Sequence, residues 1–184
     1  ISIAIGQGEV LTTPLQLANL SAIIANRGYY YKPHVVKARK GAPLDTLYTN
    51  RRESNISREH FELTVAGMAD AVTNGTCRQI NMEPYITVCG KTGTSENPHG
   101  EDHSLFIGFA PKDDPKVAIA VIVETGGYGA TNAVPIARLM IQKYLMGEIM
   151  PQDQFLENIM ASRVILPYIY RRNALIQHID SIVT

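Results

Sequence analysis

The middle of the chain contains three segments with the length and character of strands, and polar loops separate them. They are Ile86–Thr94, Ser104–Ala110 and Val117–Val123, and the last has the uninterrupted apolar character of a strand buried on both faces. Residues 111–115 join the last two segments with two prolines and three charged residues, a loop of hairpin length and composition. The sequence therefore predicts three antiparallel strands that follow one another in the chain.

Helical patterns precede and follow these strands. Residues 13–25, 57–73 and 135–145 carry apolar side chains at helical spacing, and a glycine follows each pattern within three residues. Thr13 is expected to cap the first helix, and Pro14 to occupy its first position. The residues expected on the shared faces are Leu17, Leu20 and Ile24; Phe61, Val65, Met68 and Val72; and Ile136, Leu139, Met140 and Lys143. The predicted fold class is α+β, an antiparallel sheet with packed helices.

The remaining segments show weaker patterns. Residues 1–5 and 29–37 are predicted to be extended, and residues 38–56 to form a polar surface loop. Beyond Pro151, helical spacing returns, is broken at Pro167, and resumes over 174–182.

Composition excludes several classes of protein. With 184 residues, of which 45% are apolar and 18% charged, the chain has the composition of one globular domain rather than of a disordered or fibrous protein. Seventeen basic and seventeen acidic side chains give zero net charge, which argues against nucleic acid as a partner. The sequence contains no run of 18 uncharged apolar residues. Because it starts at Ile1 within a strand-like pattern, we expect it to be part of a longer protein.

Two cysteines, Cys77 and Cys89, leave two interpretations open. They are twelve residues apart and could form a disulfide in an oxidising compartment, or they could be two separate free thiols. Neither lies in the Cys-x-x-Cys or Cys/His spacing of a metal site.

The motif with the most groups suited to ligand binding is Lys91-Thr92-Gly93-Thr94, which ends the first predicted strand. A lysine beside two hydroxyls at a strand edge offers a positive charge and two donors, a set that suits a carboxylate. Glycine between the threonines allows another backbone to approach closely. An exposed strand edge can also pair with an extended peptide. The same letters would fit an edge strand with a glycine bulge and no function. K-T-G is one of three signatures of serine β-lactamases and penicillin-binding proteins.

Three other groups of residues accompany this motif in a fixed order. They are Gly6-Gln7-Gly8 with the following stretch to Ala18, Ile24–Gly28, and His103–Pro111. Over residues 1–146 this ordered set resembles the C-terminal half of class B penicillin-binding proteins, in particular the elongation-type peptidoglycan D,D-transpeptidases. The resemblance implies part of a penicillin-binding transpeptidase domain, with the serine β-lactamase-like fold, over 1–146, and a mainly helical tail over 147–184.

The resemblance also implies roles for the motif. Lys91 would belong to the proton network around a catalytic serine and attract the carboxylate of the donor peptide. Thr92, Gly93 and Thr94 would complete the substrate-binding strand, and the backbone N–H of Thr94 would be one of two oxyanion-hole donors, a contribution of about 3 kcal/mol to the barrier. No cofactor or metal is implied.

Two departures limit what this chain can do alone. The family's nucleophile lies in Ser-x-x-Lys, and no serine here is followed three residues later by lysine. Ser95-Glu96-Asn97 has the letters of the family's Ser-x-Asn motif, but it follows the lysine motif instead of preceding it, so we interpret it as coincidence.

Two interpretations are open for His103 and for the loop Gly126–Gly129: a structural role, or contact with substrate. Three acidic residues are expected to form a solvated face: Glu96, Glu101 and Asp102.

For the whole protein, the resemblance implies cross-linking of peptidoglycan stem peptides and binding of β-lactams. It would act at the periplasmic face of the bacterial cytoplasmic membrane, within the cell-elongation complex. The alternatives are a D,D-carboxypeptidase or β-lactamase-like hydrolase, or a catalytically dead scaffold of the same fold. The isolated chain is expected to form no penicillin adduct. It is also expected to self-associate, or to cover itself with its tail, through apolar residues such as Ile86 and Val88.

Overall fold

The computed structural model describes residues 2–38 and 40–165. The elements are, in chain order, α1 (Pro14–Ala25), β1 (Tyr29–Tyr30), α2 (Thr46–Thr49), β2 (Arg52–Glu53), α3 (Arg58–Thr73), β3 (Cys89–Ser95), β4 (His103–Ala110), β5 (Val117–Val123), α4 (Ala133–Met146) and α5 (Gln154–Ser162). Short 3-10 helices lie at Ser2–Ile5, Arg78–Ile80 and Pro151–Asp153. Within the described ranges no helix has the length and apolar character needed to cross a bilayer.

The main sheet has the order β3-β4-β5, and both pairings are antiparallel, as predicted. In its register Lys91 lies opposite Ile107 and Gly93 opposite Leu105. β3 starts at Cys89 rather than at Ile86, because Ile86 instead forms an isolated bridge with Met82 across a turn. Within the described sheet β3 is an edge strand, so its outer edge has no strand partner.

Two apolar clusters cover the two faces of this sheet. One joins α4 to β4 and β5 and includes Phe106, Val121, Ala133, Ala137 and Ile141. The other joins α1 and α3 to the opposite face through Ile24, Phe61, Val65, Met68, Cys89 and Phe109. The predicted α+β class is confirmed, with helices packed on both faces of an antiparallel sheet.

The local signals at two helices are also confirmed. Thr13 caps α1 through a reciprocal hydrogen-bonding pair with Gln16, and Pro14 occupies the first turn. In α3 the four residues predicted on one face are all buried: Phe61, Val65, Met68 and Val72.

The predicted face of α4 is wrong. Met140 is 53% exposed, whereas Ala133, Ala137 and Ile141 are fully buried. The packed face combines the small side chains of Ala133 and Ala137 with the larger Val134 and Ile141, so helical spacing of apolar residues alone does not identify it.

Other expectations fail in the irregular segments. Residues 2–5 form a 3-10 helix instead of a strand, and within 29–37 only Tyr29–Tyr30 is a strand. The predicted loop 38–56 contains α2 and also β2, which pairs with β1. These pairings are too short to leave a period in the sequence.

The apolar residues that were expected to drive self-association are not available. Ile86 is 6% exposed and Val88 2%, because both belong to the cluster under α4. On α5, Phe155 and Ile159 are exposed, so this helix does not use them to cover the sheet. Self-association stays a prediction that has lost its original basis.

The segment after α4 is held by a buried polar network. Arg138 forms an ion pair with Asp153 at 2.7 Å and donates to the carbonyl of Asn81 at 2.7 Å, while Gln142 accepts from the backbone of Met150 at 3.0 Å. The helix predicted from Pro151 onward is confirmed as α5. The predicted break at Pro167 and the helix over 174–182 lie outside the described residues.

Cys77 and Cys89 are buried free thiols in different clusters, Cys77 under α4 and Cys89 under α1 and α3. The interpretation as two separate thiols is therefore confirmed.

Candidate active site

The Lys-Thr-Gly-Thr sequence lies on the outer strand of the sheet, where β3 leaves the core. Cys89 and Gly90 are buried, Lys91 is exposed, and the residues from Thr92 to Ser95 are half-buried. The ring of Phe106 occupies the space where a side chain at Gly90 would stand. Packing of the first two residues thus fixes the strand from which the motif projects.

Two side chains reach backbone carbonyls of β3. Lys91 Nζ donates to the carbonyl of Thr92 at 2.9 Å, and Gln7 Nε2 donates to the carbonyl of Thr94 at 3.1 Å. Residues of an antiparallel strand alternate between those that exchange both backbone hydrogen bonds with the partner strand and those that exchange neither. The alternation assigns the N–H and C=O of Thr92 and Thr94 to the open edge of β3.

The hydroxyls of the motif share one face of the strand, since successive side chains alternate. Thr92 Oγ1 lies 2.7 Å from Thr76 Oγ1, and Thr94 Oγ1 accepts from the backbone N–H of Gly129 at 3.3 Å. Lys91 points its ammonium group to the open edge beside them. One cation, two hydroxyls and two backbone N–H groups are therefore available along a single strand edge.

The loop Gly126–Gly129 forms part of the support for this strand. Ser104 Oγ is within hydrogen-bonding distance of the carbonyls of Tyr128 (3.0 Å) and Gly129 (3.2 Å), and it accepts from Ala133 N at 3.0 Å. A Cβ at Gly129 would lie 2.5 Å from the carbonyl oxygen of Gly93, so glycine is required there. The loop therefore has structural contacts and its last residue touches the motif, while contact of the loop with substrate stays a hypothesis.

His103 is tied to the fold by one ring nitrogen. Its Nδ1 accepts from Thr125 N at 3.0 Å, an arrangement that leaves the proton of the neutral ring on Nε2. Thr125 has a φ of 54°, so this hydrogen bond steadies a left-handed turn before α4. His103 therefore has a structural contact in the turn, and its contact with substrate stays a hypothesis.

The loop after β3 is organised by its own side chains. Asn97 accepts from His99 N at 3.1 Å and donates to the carbonyl of Glu101 at 3.1 Å, while Asp102 accepts from Asn97 N at 3.2 Å. These contacts give Asn97 a local structural role, as expected if Ser95-Glu96-Asn97 matches Ser-x-Asn only by coincidence. Glu96 and Glu101 are exposed, as predicted, and Asp102 is half-buried.

Cys77 lies behind the motif. Burial raises the pKa of its thiol, and hydrogen bonds with Thr76 and Thr92 and the charge of Lys91 oppose that rise. Across residues 2–38 and 40–165, no group of three His, Cys, Asp or Glu side chains is arranged to hold a metal ion.

Sequence reasoning missed two contacts of the motif. Thr76 is sixteen residues from Thr92, and Gln7 is 87 residues from Thr94. Gln7 stands in a Gly-x-Gly stretch of the sequence, and no local pattern indicates where its side chain lies.

A model of the penicillin binding protein transpeptidase domain matches residues 1–142. The chain therefore belongs to the transpeptidase domain family of penicillin-binding proteins.

The similar proteins agree with the elongation-type resemblance. A peptidoglycan D,D-transpeptidase MrdA of Haemophilus influenzae is 35% identical over 167 residues, covering 79% of this chain and 25% of the relative. The crystal structure of Pseudomonas aeruginosa PBP2 in complex with WCK 5153 is similar with a TM-score of 0.69 and 31% identity, over 82% of this chain and 34% of that one. Penicillin-binding protein A of M. tuberculosis, solved as a ceftriaxone acyl-enzyme complex, gives a TM-score of 0.68 with 31% identity, over 78% of this chain and 35% of that one. The chain thus spans about a quarter of the length of the curated relative.

Proposed function

We propose that the protein containing this chain is a serine-type peptidoglycan D,D-transpeptidase. The observation that carries the proposal is the Lys-Thr-Gly-Thr sequence on the open edge of an edge strand, in a chain of the transpeptidase family. A serine in a part of the protein beyond these 184 residues attacks the carbonyl of a D-Ala-D-Ala stem peptide and expels D-Ala. An amine of a neighbouring stem peptide then takes the acyl group.

Each residue of the motif has a role in this proposal. The Lys91 ammonium attracts the terminal carboxylate of the donor peptide and belongs to the proton network of the serine. The hydroxyls of Thr92 and Thr94 hold that carboxylate, which accepts strong hydrogen bonds because it is charged. Gly93 keeps the strand edge free of a side chain.

The backbone N–H of Thr94 is the oxyanion-hole donor of this chain. Its carbonyl receives Gln7 Nε2 at the open edge, and the alternation of an antiparallel strand puts its N–H on the same side. That orientation is the one a donor needs to meet an oxyanion formed on a substrate lying along β3.

The cellular location of the reaction follows from the assignment as a peptidoglycan D,D-transpeptidase. The protein acts at the periplasmic face of the bacterial cytoplasmic membrane, where its stem-peptide substrates lie, and it works with the cell-elongation complex. Similarity to an MrdA transpeptidase and to PBP2 supports this setting. The domain boundary after residue 146 is part of the proposal, and the family match to residue 142 is close to it.

Acylation by a labelled penicillin tests the proposal. The full-length protein is expected to form an adduct that survives denaturing electrophoresis, while the 184-residue chain alone forms none because it lacks Ser-x-x-Lys. A folded full-length protein that is not acylated would favour the scaffold alternative. An adduct on the isolated chain would show that another serine is activated. Transfer of the acyl group to an amine acceptor rather than to water distinguishes the transpeptidase from the hydrolases.

A further inference from the structure

Thr76 lies outside the Lys-Thr-Gly-Thr motif, yet its side chain contacts it. The oxygens Thr76 Oγ1 and Thr92 Oγ1 are 2.7 Å apart, the usual length of a hydrogen bond between two hydroxyls. The pair lies at the surface, beside the exposed Lys91. A third hydroxyl therefore joins the two of the motif at the place where the carboxylate of a substrate is proposed to bind.

The backbone around Thr76 is fixed by the end of α3. Gly75 N donates to Asp70 O at 3.1 Å and Cys77 N donates to Ala71 O at 2.9 Å, so hydrogen bonds to the helix lie on both sides of Thr76. The side chain of Cys77 is fully buried under α4. A Cβ at Gly75 would lie 2.8 Å from the Cα of Ala71, so the turn also depends on a close backbone approach. Thr76 is thus exposed at its hydroxyl but held at its backbone.

The direction of the hydroxyl hydrogen bond determines what Thr92 can offer. A hydroxyl has one proton to donate and can accept as well. If Thr92 donates to Thr76, its proton is unavailable to a ligand. If Thr76 donates to Thr92, the Thr92 proton is free to point along the strand edge. A carboxylate near Lys91 favours the second arrangement, because hydrogen bonds in a chain that ends on a charge reinforce one another.

We propose that Thr76 is a positioning residue that donates to Thr92 and thereby directs the Thr92 hydroxyl proton at the carboxylate of the substrate or of a β-lactam. This inference rests on the proposed function, because it concerns the same acylation reaction. Thr76 itself need not touch the ligand. Its contribution depends on the ligand having a negative charge at that position.

The test is acylation of the full-length protein by benzylpenicillin, which carries the carboxylate charge, and by its methyl ester, in which a methyl group removes that charge. Thr76→Val removes the hydroxyl while keeping the shape of the side chain, and Thr76→Ser keeps the hydroxyl. Thr73→Val is the matched control, because among the described residues the Thr73 hydroxyl hydrogen-bonds to the carbonyls of Ala69 and Asp70 in its own helix and to no residue of the motif. Melting temperatures of all variants report on folding.

We expect Thr76→Val to lower the second-order acylation rate constant for benzylpenicillin about tenfold, the upper end of the range for a hydrogen bond between two uncharged groups. The rate constant for the methyl ester should be unchanged, and Thr76→Ser and Thr73→Val should react like the wild type. Equal losses with both penicillins, or no loss with either, would overturn the role of Thr76 while leaving the proposed function intact. A wild-type protein that reacts with neither penicillin would instead overturn the proposed function and this inference with it.

Discussion

The two halves of β3 differ sharply in their surroundings. Cys89 and Gly90 are buried between helices on both faces of the sheet, and the ring of Phe106 fills the space beside Gly90. From Lys91 onward the strand is exposed or half-buried, and the side chains of Lys91 and Gln7 donate to carbonyls at its open edge. One half is specified by packing, and the other is left with unused hydrogen-bonding groups.

This difference shows how an edge strand can be rigid and still present free backbone hydrogen-bonding groups to another strand. An unpaired strand edge is ordinarily a liability, since it can pair with any other strand. Anchoring the first residues in the core fixes the direction and register of the strand without covering the groups beyond them. Any strand that pairs with this edge then meets a template whose conformational entropy has already been lost.

Removing the positive charge of Lys91 in the open half of β3 should have the largest effect on acylation. In the full-length protein, Lys91→Ala is expected to slow penicillin acylation about 10²–10³-fold, the scale of losing one group that stabilises developing charge. The melting temperature should change little, because Lys91 is exposed and its hydrogen bond is to the neighbouring carbonyl. The control is Lys116→Ala, which removes an exposed lysine that pairs with Asp114 in the β4–β5 hairpin and should acylate normally. A normal acylation rate in Lys91→Ala would remove this lysine from the site.

Glycine substitutions should distinguish the two halves of β3 through the stability of the fold rather than through the rate of acylation. At Gly90 a Cβ would collide with the ring of Phe106, which is 1% exposed and cannot move away. At Gly93 a Cβ would meet only Leu105 Cβ, at 3.3 Å. We expect Gly90→Ala to cost about 1–3 kcal/mol of unfolding free energy in this chain, as overpacking does, and Gly93→Ala clearly less. Denaturant unfolding of the two variants measures the difference, and equal costs would contradict the contrast drawn here.

The sequence correctly predicted those features of the fold that depend on local patterns. The three strands, the cap at Thr13 and the buried stripe of α3 follow from periodicity and helix-end chemistry, which act over a few residues. The predicted face of α4 is wrong because apolar side chains at helical spacing do not by themselves tell which face of a helix packs against the sheet. The face that packs contains Ala133, Ala137 and Ile141.

The site was only partly predictable for the same reason. Lys91 through Thr94 stand together in the sequence and could be recognised as a unit. Thr76 and Gln7 reach that unit only after the chain has folded, and an isolated threonine or glutamine carries no period that would indicate its partner. Tertiary contacts between polar side chains are therefore the part of a site that a single sequence leaves open.

The smallest expected effect concerns the buried thiol at the start of β3. Burial raises the pKa of Cys89 from 9.0 to about 11, against the weaker opposing effect of the nearby cations Lys112 and Arg27. In the unfolded chain the thiol ionises at lower pH, so the stability linked to keeping it neutral is present below pH 9 and lost as the pH rises toward 11. Each pKa unit corresponds to about 1.4 kcal/mol. The difference in unfolding free energy between the wild type and Cys89→Ala should therefore shrink by about 1–2 kcal/mol between pH 8 and pH 10.5, as measured by urea unfolding.

Cys77→Ala is the matched comparison beside the open half of β3. Its thiol is also buried, but Lys91 and the threonine hydroxyls oppose the rise of its pKa, so its difference should shrink less. A difference that stays constant with pH for Cys89→Ala would show that the start of β3 is less sealed from solvent than its packing implies.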